Sequence, residues 1–379
     1  MRIAVTGSIA TDHLTVFPGR FRDQLIPDQL DHVSLSFLAD TLEVRRGGVA
    51  ANIAVGLARL ALTPVLVGAA GQDFADYAAW LENNGVDTAS VRVSATLHTA
   101  RFMCTTDADH NQIATFYAGA MAEARHISLA TVAERTGTPD LVVIAPNDPE
   151  AMLRHTDECR RLGIPFAADP SQQLARLDRD ETRRLITGAR FLFTNAYEAA
   201  LLLQRTGWTR EEVLARIGTW ITTLGAEGAR LETHNGQPHP HVHSAGPLAP
   251  DSAGPLAPDS AGPLAPHPAG PPDPHPHGHP DPDPHPHPAP THVPALPSPA
   301  PTDPTGVGDA FRSGFLAAVA RGLPAPTAAR LGCAMATLVL ESVGTQEYKI
   351  VPADLLRRIT DTYGPHETAA LAPLLTDLP

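Results

Sequence analysis

The strongest constraint on the fold of this chain is a series of short, wholly apolar runs separated by helical patterns. Ile3-Ala4-Val5-Thr6, Val65-Leu66-Val67, Leu141-Val142-Val143-Ile144, Pro165-Phe166-Ala167-Ala168, Phe191-Leu192-Phe193 and Trp220-Ile221-Thr222-Thr223 each suit a strand buried on both faces. Helical segments fit between them. One covers about 149–161, and another opens at the capping box Thr209-x-x-Glu212. Strands alternating with helices predict an α/β fold: a doubly wound, mostly parallel sheet with helices on both faces. Two stretches break the alternation. Residues 10–46 are rich in isolated aromatic and polar residues, and 97–120 hold two strand-like runs, 99–105 and 113–117, joined by a polar turn. Both read as a small β layer projecting from the main sheet, a candidate lid.

Apolar residues make up 43% of the 379-residue chain and charged residues 18%, enough to bury a sizeable core. The formal charge of -13 and the absence of any Lys/Arg cluster argue against a nucleic-acid surface. Cys104, Cys159 and Cys333 lie far apart and form no zinc pattern, so they read as idle thiols in a reducing compartment. The start of the chain lacks the pattern of a signal peptide, and no apolar run is long enough to span a membrane. A cytoplasmic protein with no membrane partner is expected.

From Pro238 to Pro304 the composition changes to Pro, His, Ala and Asp. SAGPLAPD occurs at 244–251 and again at 252–259, and SAGPLAPH follows at 260–267. Proline removes backbone donors and locks φ, which predicts a disordered or polyproline-like insertion over 238–304. Eleven of the eighteen histidines fall between His234 and His292. A metal-binding arm is one reading. A low-complexity expansion without a partner is the favoured one, because His-Pro dipeptides fix no coordination geometry. Asn235-Gly236 suits a hairpin turn, but the His-Pro-rich sequence after it should pair poorly as a return strand.

One absence narrows the chemistry. Lys349 is the only lysine, and its surroundings match neither a Walker-type phosphate loop nor a protein-kinase motif. Any phosphate transfer here proceeds without a phosphate-cradling lysine. In Asp303-Pro304-Thr305-Gly306-Val307-Gly308-Asp309, glycines on a turn permit close approach of a ligand. A helix opening at Asp309 would aim free N–H groups and its positive dipole end at the same spot. Such a nest stabilises charge on a transferring phosphoryl group, and an Asp beside it is placed to take a proton from an attacking hydroxyl. The plainer alternative is a glycine turn with an Asp helix cap.

Arg46-Gly47-Gly48-Val49-Ala50-Ala51-Asn52 puts paired glycines before an amphipathic helix, with Asn52 one turn in. The alternative is a glycine-rich helix start with an ordinary buried Asn. Asn195-Ala196-Tyr197-Glu198 ends an apolar strand, where ligands of open α/β sheets bind. Glu198 there would organise Mg2+ through waters, or the pair simply caps the next helix. Asp12 follows the first strand, and Thr223, Gly225 and Gly228 lie in or beside another glycine turn; each has an ordinary turn reading as well.

In this order the segments resemble the ribokinase-like carbohydrate kinase family, with its early Gly-Gly motif, its Asn-x-x-Glu motif and its late Gly-x-Gly-Asp anion hole. The glycine-rich segment Val67-Gly68-Ala69-Ala70-Gly71-Gln72-Asp73 also looks like one of that family. The resemblance covers the whole chain except 238–304 and implies a single kinase domain over 1–379, with lid segments at about 10–46 and 97–120. Within the family the likeness is to bacterial adenosine kinases. It is carried by Gly7-Ser8-Ile9-Ala10-Thr11-Asp12, Ser34-Leu35-Ser36-Phe37, the run from Ala168-Asp169-Pro170 to Arg176, and Gly344-Thr345-Gln346-Glu347. That resemblance implies that Ser8, Asp12, Gly48 and Asn52 hold the ribose. Phe102 and Phe116 would sandwich the purine, with Ser36 and Gln112 in contact with it. Gln172, Gln173 and Arg176 would line the site, and Asn195, Thr223, Gly225, Gly228 and Gly306 would face ATP. Asp309 would be the base, with Gly306, Val307 and Gly308 as the anion hole. The implied reaction is ATP plus adenosine to ADP plus AMP, with Mg2+ required, a K+ ion near Gly344, and a homodimer through the lid. Another nucleoside or sugar, such as inosine, guanosine or ribose, is the alternative substrate. A non-catalytic nucleoside-binding or regulatory protein is the alternative of a different class.

Overall fold

The computed structural model describes residues 1–26, 32, 34–234, 289–376 and 378. Its large sheet has nine strands in the order β13-β12-β11-β10-β9-β8-β1-β4-β5. These are β1 (Ile3–Thr6), β4 (Val65–Ala70), β5 (Asp87–Val93), β8 (Leu141–Ile144), β9 (Phe166–Ala168), β10 (Phe191–Asn195), β11 (Thr219–Thr223), β12 (Ala229–Thr233) and β13 (Thr291–Val293). Every pair from β5 to β11 is parallel, and β12 and β13 close the sheet as an antiparallel edge. The apolar runs are buried on both faces, as their composition requires.

The helices divide between those faces. α2 (Val49–Arg59), α3 (Ala75–Asn83), α9 (Val307–Ala320), α10 (Ala325–Leu340), α11 (Pro352–Tyr363) and α12 (Pro365–Thr376) share one core with Ile3 and Val5. α4 (Leu129–Thr136), α5 (Pro149–Leu162), α6 (Arg179–Ile186), α7 (Ala196–Thr206) and α8 (Arg210–Leu214) share the other with Ala4, Val65 and Val67. The alternation Ile3/Ala4/Val5 across the two cores is the period-2 signature of a strand filled from both sides. Local chemistry sets the ends of several helices. Asp178, Asn195 and Thr209 each form a capping box at α6, α7 and α8, and Asp148 caps α5 by accepting from the Ala151 amide at 3.1 Å.

A second sheet of four strands, β3-β2-β6-β7, stands apart as the lid. It comprises β2 (Ala10–Val16), β3 (Thr41–Gly47), β6 (Ala100–Thr106) and β7 (Gln112–Tyr117). α1 (Phe21–Gln24) lies in the connection between β2 and β3. Phe17, Phe21 and Phe37 pack there with ring centroids 4.9–5.9 Å apart. The Asp107 carboxylate ties this connection to the β6–β7 turn by accepting from the Phe21 amide at 2.9 Å and the Asn111 amide at 2.8 Å.

Two expectations need correction. The low-complexity stretch does not run unbroken to Pro304. Thr291–Val293 form the return strand that the His-Pro sequence seemed unable to supply, pairing Ala229 with Val293 and Leu231 with Thr291. None of Thr291, His292 and Val293 is proline, so all three keep their amide donors, and Val293 and Leu296 are buried in the core. The Asn235-Gly236 turn, the repeats and the proposed metal-binding arm lie outside the described residues. The second correction concerns α9, which opens at Val307 after the N-cap Gly306, not at Asp309. Asp309 is therefore the third helical residue, with its carboxylate beside the first-turn amides.

α2 and α9 cross at a glycine. A Cβ on Gly56 would lie 2.3 Å from Ser313 Oγ and 2.5 Å from its Cβ. Asn52 lies one turn before Gly56, and Asp309 one turn before Ser313, so this close crossing sets those two side chains together. Gly56→Ala should destabilise the protein by roughly 1–3 kcal/mol through overpacking, and should lower activity although every polar site residue is retained. Denaturant unfolding and turnover measured on one preparation would check this; an unchanged midpoint would show that the crossing is not tight.

Candidate active site

The site forms at the carboxyl ends of the parallel strands, where α2 and α9 both point their N-termini. At its centre the Asn52 side-chain amide donates to Asp309 Oδ2 at 2.8 Å. The orientation of Asn52 follows from its other end, since its Oδ1 accepts from Thr345 Oγ1 at 2.9 Å and from Gln346 Nε2 at 2.7 Å. Two donors on that oxygen leave the NH2 group to face the carboxylate. Gln346 also donates to Tyr77 Oη at 2.7 Å, and Tyr77 donates to the Gly47 carbonyl at 2.9 Å, so the network returns to the Gly-Gly segment.

Each glycine of the two motifs has a steric reason. A Cβ on Gly47 would meet the Asp12 carboxylate at 2.9 Å. Gly48 adopts φ +95, and a Cβ there would strike the backbone of Ser8 and Ala10 at 2.6 Å. Gly306 has φ +75 with Thr345 at 2.8 Å from its would-be Cβ. In the first turn of α9 the amides of Gly308 and Asp309 have no partner within the helix and are available to an anion, while that of Val307 donates to the Pro304 carbonyl at a long 3.4 Å.

Burial raises the Asp309 carboxyl to about 6, against the opposing pull of Arg312 and the Asn52 hydrogen bond. Asp12 is likewise pushed up to about 6 by burial; Arg45 opposes this, while Asp303 and Glu347 add to it. A carboxyl that stays ionised at neutral pH yet holds a proton well is suited to general-base work.

Ser8 Oγ accepts the Val49 amide at 3.0 Å, which leaves its hydroxyl proton to offer. Asn195 and Thr223 are register neighbours on β10 and β11, so their side chains sit together at the sheet's end. Glu198 forms the capping box with Asn195 and also lies 3.3 Å from Ser171 Oγ. The capping reading of this motif is thus realised, with carboxylate lone pairs to spare. Gln172 accepts from Ser171 at 2.7 Å, and Gln173 is buried with its Oε1 unpartnered. Gly225 opens on free space, but a Cβ on Gly228 would strike Val293 O at 2.1 Å, so Gly228 is needed by the return strand. Ser36 is exposed in the β2–β3 connection. Arg176 lines an open surface depression of about 570 Å³ with Arg125, Asp148, Arg154 and Arg184.

Phe102 and Phe116 are directly opposed partners on β6 and β7, so their side chains leave the same face of the lid. Asp12 pairs with Phe102 on the next strand, which puts carboxylate and aromatic wall on the same face of the lid. Gln112, four residues before Phe116 on β7, shares that face.

The sequence profile of pfkB family carbohydrate kinases matches residues 13–245 and 288–352. The chain belongs to this family. It is 27% identical over 322 residues to the nucleoside kinase of Methanothermobacter thermautotrophicus, covering 84% of this chain and 85% of that one. It is also similar to the ligand-free structure of Burkholderia thailandensis nucleoside kinase, with 30% identity, a TM-score of 0.72, and coverage of 94% of this chain and 99% of that one. The same Burkholderia enzyme in complex with ADP-inosine matches at 30% identity and a TM-score of 0.69, covering 96% of each chain.

Sequence reading gave no role to Arg312, Thr345, Gln346 or Tyr77. A usable signal existed for Arg312, three residues after Asp309 on one helix; none marked Tyr77. Among the described residues, no cluster of three His, Cys, Asp or Glu side chains is placed to hold a metal ion, and no helix is long and apolar enough to cross a membrane. Glu198, with lone pairs left after the capping box, is a side chain that could hold a hydrated divalent cation, because Mg2+ keeps several waters and takes few protein ligands.

Titration of the carboxyl carbons by NMR should show Asp309 and Asp12 with apparent pKa values of about 6. Asn52→Ala removes a bond to the ionised form, so it should move Asp309 upward. Ordinary values near 4 for both groups would contradict the burial described here.

Proposed function

We propose that the chain is a nucleoside kinase that transfers the γ-phosphate of ATP to the 5′-hydroxyl of adenosine, giving ADP and AMP. The observation that carries the nucleoside reading is the row Asp12, Phe102, Phe116 on consecutive lid strands. Neighbouring strands lie about 4.8 Å apart, so the row spans roughly 10 Å, with a carboxylate for hydroxyls at one end and an apolar wall for a flat base at the other. A nucleoside has that length and that polarity; a free sugar would leave the wall unused. The resemblance to nucleoside kinases, one of them captured with ADP-inosine, supports the same class.

In this reading Ser8, Asp12, Gly48 and Asn52 hold the ribose, and Ser36 and Gln112 reach the base. Asp309 takes the proton from the 5′-hydroxyl through Oδ1, since Oδ2 is held by Asn52. The 5′-oxygen forms a bond to the γ-phosphorus, and the bond from that phosphorus to the β,γ-bridging oxygen breaks with its electron pair leaving on ADP. The proton passes from Asp309 to solvent. The amides of Val307, Gly308 and Asp309 face the charge on the transferring group. Asn195, Thr223, Gly225 and Gly306 face ATP, and Glu198 would hold water of a Mg2+ ion whose charge would screen the phosphates. A K+ ion beside the loop at Gly344 belongs to the same proposal.

Inosine is a second substrate reading, favoured by the ADP-inosine complex of the Burkholderia relative. A hydroxyl and a primary amide, Ser36 and Gln112, donate and accept alike, so neither side chain discriminates adenine from hypoxanthine. Nucleosides and sugars assayed with ATP, Mg2+ and K+ would decide. Adenosine should have the highest kcat/KM; preference for inosine would move the assignment to the second reading, and preference for ribose would sink both. Asp309→Asn should keep nucleoside binding and lose about 10²–10⁴ in kcat. Binding without turnover in the wild type would favour a regulatory protein.

The opposite face of the lid carries exposed Leu42, Val44, Met103, Ile113 and Tyr117. We propose that it pairs with a second copy of the chain. Light scattering should report a dimer for the wild type and a monomer for Val44→Asp; a monomeric wild type would overturn this.

A further inference from the structure

Arg312 is the cation nearest Asp309 that the reading above leaves without a part. It lies on the helix that opens at the anion hole, three residues after Asp309 and four after Gly308, so all three share one helix face. Long helical side chains lean toward the N-terminus, and this one does: a Cβ on Gly308 would lie 2.8 Å from Arg312 Nη1. The guanidinium therefore covers the first turn of α9, where anions are favoured and a cation alone is electrostatically misplaced.

Two contacts hold it there. Nη2 donates to Asp169 Oδ1 at 2.6 Å, and Nε lies 2.5 Å from Asp169 Oδ2, a close ion-pair approach off the line of a hydrogen bond. The guanidinium carbon stands 5.6 Å from the centre of the Phe193 ring. Both partners are deeply buried, with side-chain exposures of 8% for Arg312 and 1% for Asp169. Asp169 takes the Nε/Nη2 edge of the fork. Nη1 makes no hydrogen bond among the described residues, yet it lies against the anion-hole glycine. The carboxylates of Asp169, Asp309 and Glu198 all favour the charged form of this guanidinium against its burial. A buried, rigidly held cation with a free donor edge is costly unless something negative occupies that edge.

We infer that Arg312 donates from Nη1 to an oxygen of the transferring γ-phosphoryl group, with Asp169 as the residue that positions it. The inference rests on the kinase reading and supplies the cation that a chain with a single lysine, Lys349, otherwise lacks there. It adds no bond to the reaction already written: the phosphoryl group passes from the ADP oxygen to the 5′-oxygen, and Nη1 interacts most strongly as charge spreads over the equatorial oxygens. It also gives Gly308 a second reason, since a side chain there would displace Nη1.

The test compares wild type with Arg312→Gln, Arg312→Lys and Asp169→Asn. Arg312→Gln should lower kcat by about 10²–10³, the usual loss for one donor aimed at developing charge. Its KM for nucleoside should stay within about threefold, as expected for an interaction made mainly in the transition state. Affinity for ADP with aluminium fluoride and nucleoside, a mimic of the transferring group, should fall by at least tenfold while affinity for nucleoside alone is retained. Arg312→Lys should recover only part of the rate, because lysine cannot pair with Asp169 through a fork. Asp169→Asn should lower kcat less than Arg312→Gln. Where Arg312→Gln fails to fold because Asp169 is left unpaired, the double variant Asp169→Asn/Arg312→Gln replaces both charges with amides and carries the same expectation.

A folded Arg312→Gln enzyme with kcat near wild type would overturn the inference. So would a loss of rate matched by an equal loss of nucleoside affinity, which would make Arg312 merely structural. Both outcomes leave the kinase reading intact. A wild-type protein that transfers phosphate to no nucleoside would overturn that reading, and this inference with it.

Discussion

The hydrogen bond from Asn52 to Asp309 joins side chains 257 residues apart, and the rest of the site is arranged around it. It exists because α2 and α9 cross where Gly56 lets Ser313 approach, one turn below both residues. It is oriented because Thr345 and Gln346 occupy the other end of the Asn52 amide. It matters chemically because burial would otherwise favour the protonated form of Asp309. The amide and the Arg312 guanidinium pull against that burial and leave a carboxyl near 6 that is ionised at neutral pH. Packing, polar satisfaction and basicity are thus settled at one contact.

Such an arrangement requires α9 to arrive in register after a long excursion of chain. The return strand Thr291–Val293 provides this. It pairs antiparallel with β12, buries Val293 and passes close over Gly228. Beyond it, Asp303 accepts from the Thr305 amide at 2.9 Å and from the Gly344 amide at 3.3 Å, and it pairs with Arg45 of the lid. The approach to the anion hole is therefore tied down on three sides before Gly306 begins the turn. Loop-closure cost grows slowly with length, so the sequence between β12 and β13 lengthens the connection at little thermodynamic expense.

In the proposed function the lid supplies recognition and the large sheet supplies chemistry. One lid face carries the row Asp12, Phe102, Phe116 toward the site, while the other is apolar and exposed. Strand alternation makes this division automatic, since neighbouring residues point to opposite faces. The Asp73 carboxylate accepts from the Thr99 amide and hydroxyl at 2.8 Å and from Arg101 at 2.6 Å, anchoring β6 to the large domain at the base of the lid.

The sequence by itself marked six of the nine large-sheet strands, two of the four lid strands, the helices that carry the motifs, and the motif residues. Wholly apolar runs have one stable place, inside a sheet covered on both faces, and Gly47, Gly48, Gly306 and Asp309 marked the two glycine turns that open α2 and α9. Capping boxes at Asn195 and Thr209 were legible because their chemistry is local. Tertiary structure alone decided which distant groups meet. Nothing in the spacing of Phe102 and Phe116 says that they are directly opposed, because cross-strand register comes from the folded sheet. Thr291–Val293 looked too close to the His-Pro run to be a strand, and a three-residue edge carries almost no periodic signal. Arg312 stood in plain view three residues past Asp309, but its meaning depends on Asp169, which the fold brings to it from 143 residues away.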